Sequence, residues 1–225
     1  MISFNPDLII EVTAACNRAC VGCYAPNVVT NEPATELLAK KPELFISILN
    51  LNNAFNEMSQ IPYLTTVRGG EPSLHPKLAT LLLMIKRHSN EVMLETHARW
   101  LLPENVKPYL ELVEAIRSLG VIVKISFDKM HGLKKEDLQK ITDFLDWHLI
   151  DYRVAITETS IVDFIATKIL CSWVSDEKII FQQKVKTTSD LIVPNIGVID
   201  VSGNFNETLT NKFSKSITET LGAML

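Results

Sequence analysis

Short apolar runs alternate with longer stretches of helical spacing along most of this 225-residue chain. Such alternation is typical of strands and helices arranged around a parallel sheet. Six strands are predicted, at residues 8–13, 63–67, 91–96, 121–127, 152–157 and 178–185. Six strands in this order form the core of a partial barrel. We therefore predict an α/β fold, a partial (β/α)6 TIM-like barrel.

Five helices are predicted between these strands, at residues 34–58, 76–88, 104–119, 134–149 and 161–174. Gly120 follows the third helix directly, and glycine readily takes the left-handed conformation that ends a helix. After residue 186 the pattern changes to a hairpin with its turn at residues 202–204, followed by a closing helix near residues 211–221. We therefore divide the chain into a barrel over residues 1–186 and a C-terminal hairpin and helix over residues 187–225, packed on the barrel.

Composition argues against two classes of partner. The net charge is -4 and the two signs are interspersed, whereas nucleic-acid binding relies on clustered cations. The longest unbroken apolar stretch covers only residues 81–85, far short of the roughly 20 residues that span a bilayer. No secretory signal precedes the first strand. We expect a cytoplasmic protein that binds neither nucleic acid nor a membrane.

Three of the four cysteines, Cys16, Cys20 and Cys23, follow the first predicted strand, while Cys171 stands alone. The carboxyl ends of parallel strands are where such folds place their ligand sites. Three thiols cannot pair evenly as disulfides. A structural zinc ion takes four ligands, so Cys171 or a histidine would have to complete the set. An iron–sulfur cluster takes cysteine ligands, and one held by three cysteines leaves an iron open to a substrate or cofactor.

Two motifs carry a resemblance to a known family. The spacing of Cys16, Cys20 and Cys23 after the first strand resembles the signature of the radical S-adenosylmethionine (radical SAM) enzymes. The segment Arg-Gly-Gly-Glu-Pro, residues 68–72, resembles that family's Gly-Gly-Glu-Pro segment after the second strand. The resemblance covers about residues 7–185. It implies a partial six-stranded barrel, a 4Fe–4S cluster on the three cysteines, and S-adenosylmethionine (AdoMet) bound to the open iron.

The resemblance also implies contacts with AdoMet. Gly69 and Gly70 are expected to let the backbone approach its methionine moiety, because a side chain would occupy the ligand's space. Glu71 is expected to face its ammonium group. The family often has an aromatic residue immediately before the third cysteine, but this chain has Gly22 there. The adenine ring is therefore expected near the backbone of Gly22 and Cys23, or near Tyr24.

Other strand ends supply further candidates. The family carries polar segments after the third and fourth strands, which implies AdoMet contacts from Thr96, Ser126 and Asp128. Ser126 and Asp128 share a strand face with Lys124, because alternate residues of a strand point the same way. Substrate contacts are predicted for His97 and Glu158, although a solvated loop histidine is an equal interpretation of His97.

The implied reaction is reductive cleavage of AdoMet, with an electron from a donor such as flavodoxin or ferredoxin. The resulting 5'-deoxyadenosyl radical takes a hydrogen atom from the substrate. The C-terminal hairpin resembles the extension of peptide-modifying members without its cysteines, which favours a ribosomally made precursor peptide, modified or partly excised. About seven residues precede the first strand, so leader recognition would need a separate partner protein.

Three alternatives remain open from the sequence. The first is a radical SAM enzyme of small-molecule or cofactor biosynthesis, and the second is an activase of a glycyl-radical enzyme. The third is a non-catalytic zinc-binding module that uses Cys16, Cys20, Cys23 and a histidine. Cys171 cannot hold a second cluster by itself, so it is predicted to be a small buried residue.

Overall fold

The structure is a computed structural model, and it describes residues 6–20, 23, 28–158, 161–183 and 197–206. The strands are β1 (Leu8–Thr13), β2 (Ala15–Cys16), β3 (Val28–Val29), β4 (Leu64–Gly69), β5 (Glu91–Thr96), β6 (Ile122–Ser126), β7 (Tyr152–Glu158), β8 (Ile179–Gln183), β9 (Gly197–Ile199) and β10 (Phe205–Asn206). The α-helices are α1 (Ala34–Lys40), α2 (Ile48–Glu57), α3 (Leu78–Arg87), α4 (Leu110–Leu119), α5 (Lys135–Trp147) and α6 (Ile161–Leu170).

An eight-stranded sheet forms the centre of the molecule, in the order β10–β9–β1–β4–β5–β6–β7–β8. Every neighbouring pair is parallel except β9 and β10. From β1 through β4 to β8 the strands are neighbours in chain order, with helices between them, which confirms the predicted partial TIM-like barrel. Strands β2 and β3 form a separate two-stranded parallel sheet within the region of the cysteines.

The apolar core lies between one face of the sheet and the helices. Alternate strand residues supply it, among them Ile10, Val67, Leu94, Ile125 and Val154, all fully buried. Leucines and isoleucines of α3, α4 and α5 pack against them. Burying each such side chain contributes about 1.5–3 kcal/mol. Because strand residues alternate between faces, the residues between them point to the opposite side of the sheet, here called the inner face.

The helix predicted over residues 34–58 is wrong, because the chain forms two helices there, α1 and α2. A 3-10 turn at Pro42–Leu44 separates them. Proline has no N–H to donate within a helix, and Phe45 then forms an isolated bridge with Thr13 of β1. The side chain of Ser47 accepts a hydrogen bond from the Asn50 N–H at 3.0 Å and caps the start of α2.

The helix predicted from residue 104 also begins later, at Leu110, after a 3-10 turn at Lys107–Tyr109. That turn contains Pro108, which again cannot donate in a helix interior. The end of α4 is as predicted, because Gly120 takes the left-handed conformation with φ 63°. The remaining helices, α3, α5 and α6, lie inside the predicted ranges and are shorter.

The predicted C-terminal hairpin is present as β9 and β10, which pair antiparallel. Its turn contains Gly203 with φ 82°, a conformation that favours glycine. Strand β9 also pairs in parallel with β1, so the hairpin extends the main sheet beside the strand that leads to the cysteines. The closing helix predicted near residues 211–221 lies outside the described residues. No helix within the described part of the chain has the length and apolarity to cross a membrane.

Candidate functional site

The three cysteines follow β1 on one loop. The hydroxyl of Thr13 accepts a hydrogen bond from the Ala15 N–H at 3.0 Å and donates to the Leu44 carbonyl at 2.9 Å, where the chain passes from β1 to β2. Cys16 lies in β2 and is buried. The Cys23 N–H donates to the Cys20 carbonyl at 3.2 Å, so these two cysteines are near each other.

Burial raises the pKa of the Cys16 thiol to about 11. The negative charges of Glu71, Cys20 and Cys23 make smaller contributions to this increase, and the backbone N–H of Arg18 acts in the opposite direction. The three thiols therefore lie close enough to influence one another. Without a metal the Cys16 thiol is protonated at neutral pH, so binding iron must release its proton.

The donor set fits an iron–sulfur cluster better than a single metal ion. Thiolates are the ligands of 4Fe–4S clusters, and each binds a different iron, so they surround a cube and do not converge on one point. A structural zinc ion needs four converging ligands. Among the described residues, no three or more His, Cys, Asp or Glu side chains are grouped in a way that could hold one metal ion. The predicted cluster would be held by Cys16, Cys20 and Cys23.

Gly69 and Gly70 lie against the backbone that leads to Cys16. A Cβ atom on Gly69 would lie 2.2 Å from the Thr13 carbonyl oxygen, and one on Gly70 would lie 2.2 Å from that of Ala15. The Gly70 N–H donates to the Thr13 carbonyl at 2.7 Å. The missing side chains were expected to leave space for AdoMet, but in the structure protein backbone fills that space. The contact of these two glycines with AdoMet stays a prediction.

Glu71 joins the ends of β4 and β5. It is 1% exposed, and its N–H donates to the Ala15 carbonyl at 2.8 Å. Its carboxylate accepts hydrogen bonds from the Ser73 N–H at 3.1 Å, the Thr96 hydroxyl at 2.8 Å and the His97 N–H at 3.1 Å. Protein donors therefore already hold this carboxylate, and its predicted contact with the ammonium group of AdoMet stays a prediction.

Protein groups occupy every hydrogen-bonding position of the Thr96 hydroxyl. It donates to Glu71 and accepts from the Ala98 N–H at 2.9 Å and the Trp100 Nε1–H at 3.0 Å. A hydroxyl has one donor and two acceptor positions, so none remains for a ligand. The structure makes Thr96 a buried connection between β5 and the turn that follows it. The AdoMet contact predicted for Thr96 would therefore have to come from its other atoms.

His97 is 7% exposed, so its interpretation as a solvated loop histidine is wrong. Its Nδ1 accepts from the Arg99 N–H at 3.2 Å, which places the proton on Nε2. Nε2 then donates to Asn17 Oδ1 at 2.8 Å and lies 3.3 Å from a carboxylate oxygen of Glu71. Burial lowers the pKa of His97 and favours the neutral ring. The substrate contact predicted for His97 stays a prediction.

Asn17 was missed by the sequence reasoning. Its side chain links the cysteine loop to His97, and through His97 to Glu71. An asparagine next to a cysteine has no spacing that marks it as a contact with a residue 80 positions away. The two motifs are thus joined twice, by backbone hydrogen bonds at Gly70 and Glu71 and by this side-chain connection.

Ser126 and Asp128 lie at the carboxyl end of β6. Ser126 is the last residue of β6 and is buried, whereas Asp128 lies beyond the strand. The Asp128 carboxylate accepts from the Met130 N–H at 2.9 Å and from Nδ1 of His131 at 2.8 Å. Burial opposes ionisation, but the hydrogen bond and charge of His131 outweigh it and lower the pKa of Asp128. The AdoMet contacts predicted for both residues stay predictions.

The structure places Glu158 on the helix side of the sheet. It continues the alternation of Val154 and Ile156, which both belong to the apolar core. Its carboxylate accepts from the Thr167 hydroxyl of α6 at 2.9 Å. The structure therefore does not bring Glu158 to the inner face beside Ser126, as a substrate contact there would require. Gly22 and Tyr24 lie outside the described residues.

A row of charged residues crosses the inner face, and the sequence reasoning missed it. Glu11 pairs in register with Arg68, and Glu95 pairs in register with Lys124. The ion pairs Arg68–Glu11 and Lys124–Glu95 are each 3.2 Å long. Burial opposes ionisation of Glu95, but Lys124 and then Arg68 outweigh it and lower its pKa. The available signal was a charged residue at matching positions of four consecutive barrel strands.

Cys171 lies apart from this site, directly after α6. It is fully buried, and its thiol donates to the Lys168 carbonyl at 3.3 Å. Burial raises its pKa. This confirms that Cys171 is a small buried residue.

Comparison with known proteins was made at the level of sequence and of structure. No family model and no curated protein sequence matches the chain. A solved structure of hexahistidine-tagged anSMEcpe with bound AdoMet matches with a TM-score of 0.52 at 14% identity, over 96% of this chain and 57% of that one. The chain therefore shares the fold of this solved structure.

Two further matches have lower TM-scores. Native anSMEcpe with bound AdoMet and Cp18Cys peptide matches with a TM-score of 0.48 at 14% identity, over 78% of this chain and 50% of that one. Streptococcus suis SuiB bound to S-adenosylmethionine matches with a TM-score of 0.40 at 15% identity, over 93% and 61%. The chain spans about half to three-fifths of the length of these proteins.

Proposed function

We propose that this chain is a radical SAM enzyme that carries a 4Fe–4S cluster on Cys16, Cys20 and Cys23 and binds AdoMet beside it. One observation carries the proposal. The Gly-Gly-Glu segment after β4 is hydrogen-bonded through its backbone to residues 13–15, directly before the first cysteine. The two motifs that resemble the family are thus one assembly at the ends of adjacent strands, in a chain that shares the fold of anSMEcpe. The AdoMet in the anSMEcpe structure supports the same cofactor.

When bound, the cluster and AdoMet supply the reductive cleavage that yields a 5'-deoxyadenosyl radical, which takes a hydrogen atom from the substrate. The protein's own residues hold and orient these groups. The backbone bonds at Gly70 and Glu71 position the strand that carries Cys16, and His97 holds the loop through Asn17. Hydrogen abstraction from carbon needs no side-chain acid or base, so a catalytic pair of that kind is not required.

The proposed substrate is a ribosomally made precursor peptide, which is modified or partly excised. The support is the hairpin of β9 and β10, which resembles the extension of peptide-modifying members and lies beside β1. A separate peptide-recognition protein and an electron donor such as flavodoxin or ferredoxin complete the proposed system, in the cytoplasm. Small-molecule chemistry and activation of a glycyl-radical enzyme are the alternatives within the same family.

The cluster is tested by comparing two cysteine variants. After anaerobic reconstitution, the wild-type protein should be brown, contain about four irons and four sulfides, and release 5'-deoxyadenosine from AdoMet when reduced. Cys20→Ala should lose the cluster and all cleavage. Cys171→Ala is the matched control, because it removes one thiol from the helical core and leaves the loop intact. A colourless protein with one zinc, or full cleavage by Cys20→Ala, would refute the proposal.

The substrate is tested separately. The enzyme is produced together with a short peptide and a small recognition protein encoded beside it, and the peptide is analysed by mass spectrometry. A mass change that depends on Cys20 supports peptide modification. An unchanged peptide, with AdoMet cleavage intact, would exclude that peptide while leaving the radical SAM assignment in place.

A further inference from the structure

Two arginines from different loops, Arg18 and Arg99, lie near Gly132. Arg18 lies in the cysteine loop, and Arg99 follows β5. Arg99 Nη2 donates to the Gly132 carbonyl in the loop after β6. Arg18 Nη2 lies 3.7 Å from the position that a Cβ atom would take on Gly132. The two guanidinium groups are therefore neighbours.

Each guanidinium group has a buried donor without an acceptor. The Nε atom of each is buried and has no hydrogen-bond partner among the residues that the structure describes. Neither arginine forms an ion pair with an acidic side chain of the residues that the structure describes, although several other buried or half-buried cations do. Buried donors without a partner are rare in folded proteins and costly. Each group therefore carries an N–H donor for which the described residues supply no acceptor.

The charges of the two arginines also oppose each other. Burial, and then the positive charge of Arg18, lower the pKa of Arg99, while Asp137 and Cys20 act in the opposite direction. Two neighbouring cations repel, and an anion bound between them would offset this repulsion. The donors without an acceptor and the repulsion between the two arginines thus both favour the binding of an anion.

The pair lies at the edge of the sheet where the proposed reaction takes place. Arg18 is between Cys16 and Cys20 in the sequence, and Arg99 is two residues after His97. The charge of Cys20 acts on Arg99, so the guanidinium and that thiol are close. A ligand bound by both arginines would therefore lie next to the cysteine loop.

We infer that Arg18 and Arg99 bind a carboxylate of the substrate, which for a peptide is an Asp or Glu side chain or the C-terminus. Guanidinium groups match the planar geometry of a carboxylate and bind it through paired N–H donors. This inference rests on the proposed function, because it assigns the carboxylate to the peptide substrate. The acidic group of the peptide would then lie beside the residue that is modified. The carboxylate of AdoMet has the same chemistry, and the test separates the two sources.

The test uses the reconstituted protein saturated with AdoMet, titrated with N-acetylglutamate amide or N-acetylglutamine amide at equal ionic strength. Calorimetry or ligand-detected NMR should show saturable binding of the glutamate derivative alone. Arg18→Gln and Arg99→Gln should each weaken it by about tenfold or more, since each removes charge-assisted hydrogen bonds. Arg117→Gln is the matched control, because Arg117 is exposed on α4 and pairs with Glu114.

Three results would overturn the inference. The first is equal binding of both derivatives, and the second is binding that neither arginine variant changes. The third is binding of the glutamate derivative only when AdoMet is absent, which would assign the arginines to the carboxylate of AdoMet. Arg99→Lys keeps the charge without the paired donors, and partial weakening by this variant would support the inference while excluding a loss of folding. Iron content and AdoMet cleavage, measured on the same samples, report separately whether the proposed function fails.

Discussion

Replacing Gly70 by alanine tests the contact between the two motifs. The added Cβ would lie 2.2 Å from the Ala15 carbonyl oxygen, 2.6 Å from its carbonyl carbon and 3.0 Å from Cβ of Cys16. Ordinary contact begins near 3.4 Å, so β4 and the segment before Cys16 must separate by roughly 1 Å. Both groups met first are backbone atoms, which cannot rotate away as a side chain can. The variant must therefore distort the cysteine loop.

The cost can be worked from these contacts. Overpacking of this kind costs about 1–3 kcal/mol. The separation also weakens the hydrogen bonds from Gly70 to Thr13 and from Glu71 to Ala15, which are 2.7 and 2.8 Å long. Each contributes about 0.5–1.5 kcal/mol. We expect Gly70→Ala to lower the free energy of unfolding by about 2–6 kcal/mol, measured by urea denaturation of the metal-free protein.

Gly120→Ala is the matched control. A Cβ on Gly120 meets nothing within 4 Å, and only its left-handed conformation, φ 63°, is strained. That strain costs about 1–2 kcal/mol. Gly70→Ala should also reduce the iron bound on reconstitution, whereas Gly120→Ala should not. A close contact between Gly70 and the segment before Cys16 is refuted if Gly70→Ala destabilises the protein no more than Gly120→Ala and still binds the full amount of iron.

Three further predictions concern buried polar groups. Thr96→Val removes three hydrogen bonds and should cost about 2–4 kcal/mol in urea denaturation, while Thr96→Ser should cost less than about 1 kcal/mol; equal costs would contradict this. Burial lowers the pKa of His75, so the unfolded state takes up a proton first and stability falls as the pH drops below about 6.5. His75→Gln should reduce the change of the urea midpoint between pH 7.5 and 5.5. An unchanged dependence on pH would exclude this contribution of His75. Lys124→Met removes the ion-pair partner of Glu95, leaves only the more distant charge of Arg68, and should cost about 3 kcal/mol. The double variant Lys124→Met with Glu95→Gln should partly recover this loss; no recovery would mean that the pair is not coupled.

The strands were predictable because buried parallel strands are short apolar runs. Strands β1 and β5 begin and end at the predicted residues. The division of the first helix was harder to predict, because α1 and α2 both have helical spacing and the break between them depends on a bridge from Phe45 to Thr13. A contact between residues 32 positions apart in the sequence leaves no local pattern.

The site was predictable only where the spacing of residues in the sequence indicates a chemical function. Three cysteines in eight positions and the Gly-Gly-Glu segment stand out in any reading of the chain. The connection of Asn17 to His97, and the meeting of Arg18 with Arg99, depend on how loops from different strands come together. The helix-side position of Glu158 follows from its alternation with apolar residues, so the sequence contained that signal.

Apart from the Asn17–His97 connection, the contact between the two motifs consists of main-chain hydrogen bonds and of two glycines without a Cβ atom, so it places few demands on the side chains nearby. A protein can then replace much of its sequence around the site and keep the loop in position, provided that the glycines remain. This chain, with 14% identity to anSMEcpe and a shared fold, is in keeping with that freedom. Searches for distantly related chains would gain from a paired pattern, three spaced cysteines after one strand and Gly-Gly at the end of the next, without reference to the residues between them. Engineering of the loop has more latitude at the half-buried Ala14 than at Ala15, which is fully buried against Leu37 and Phe45.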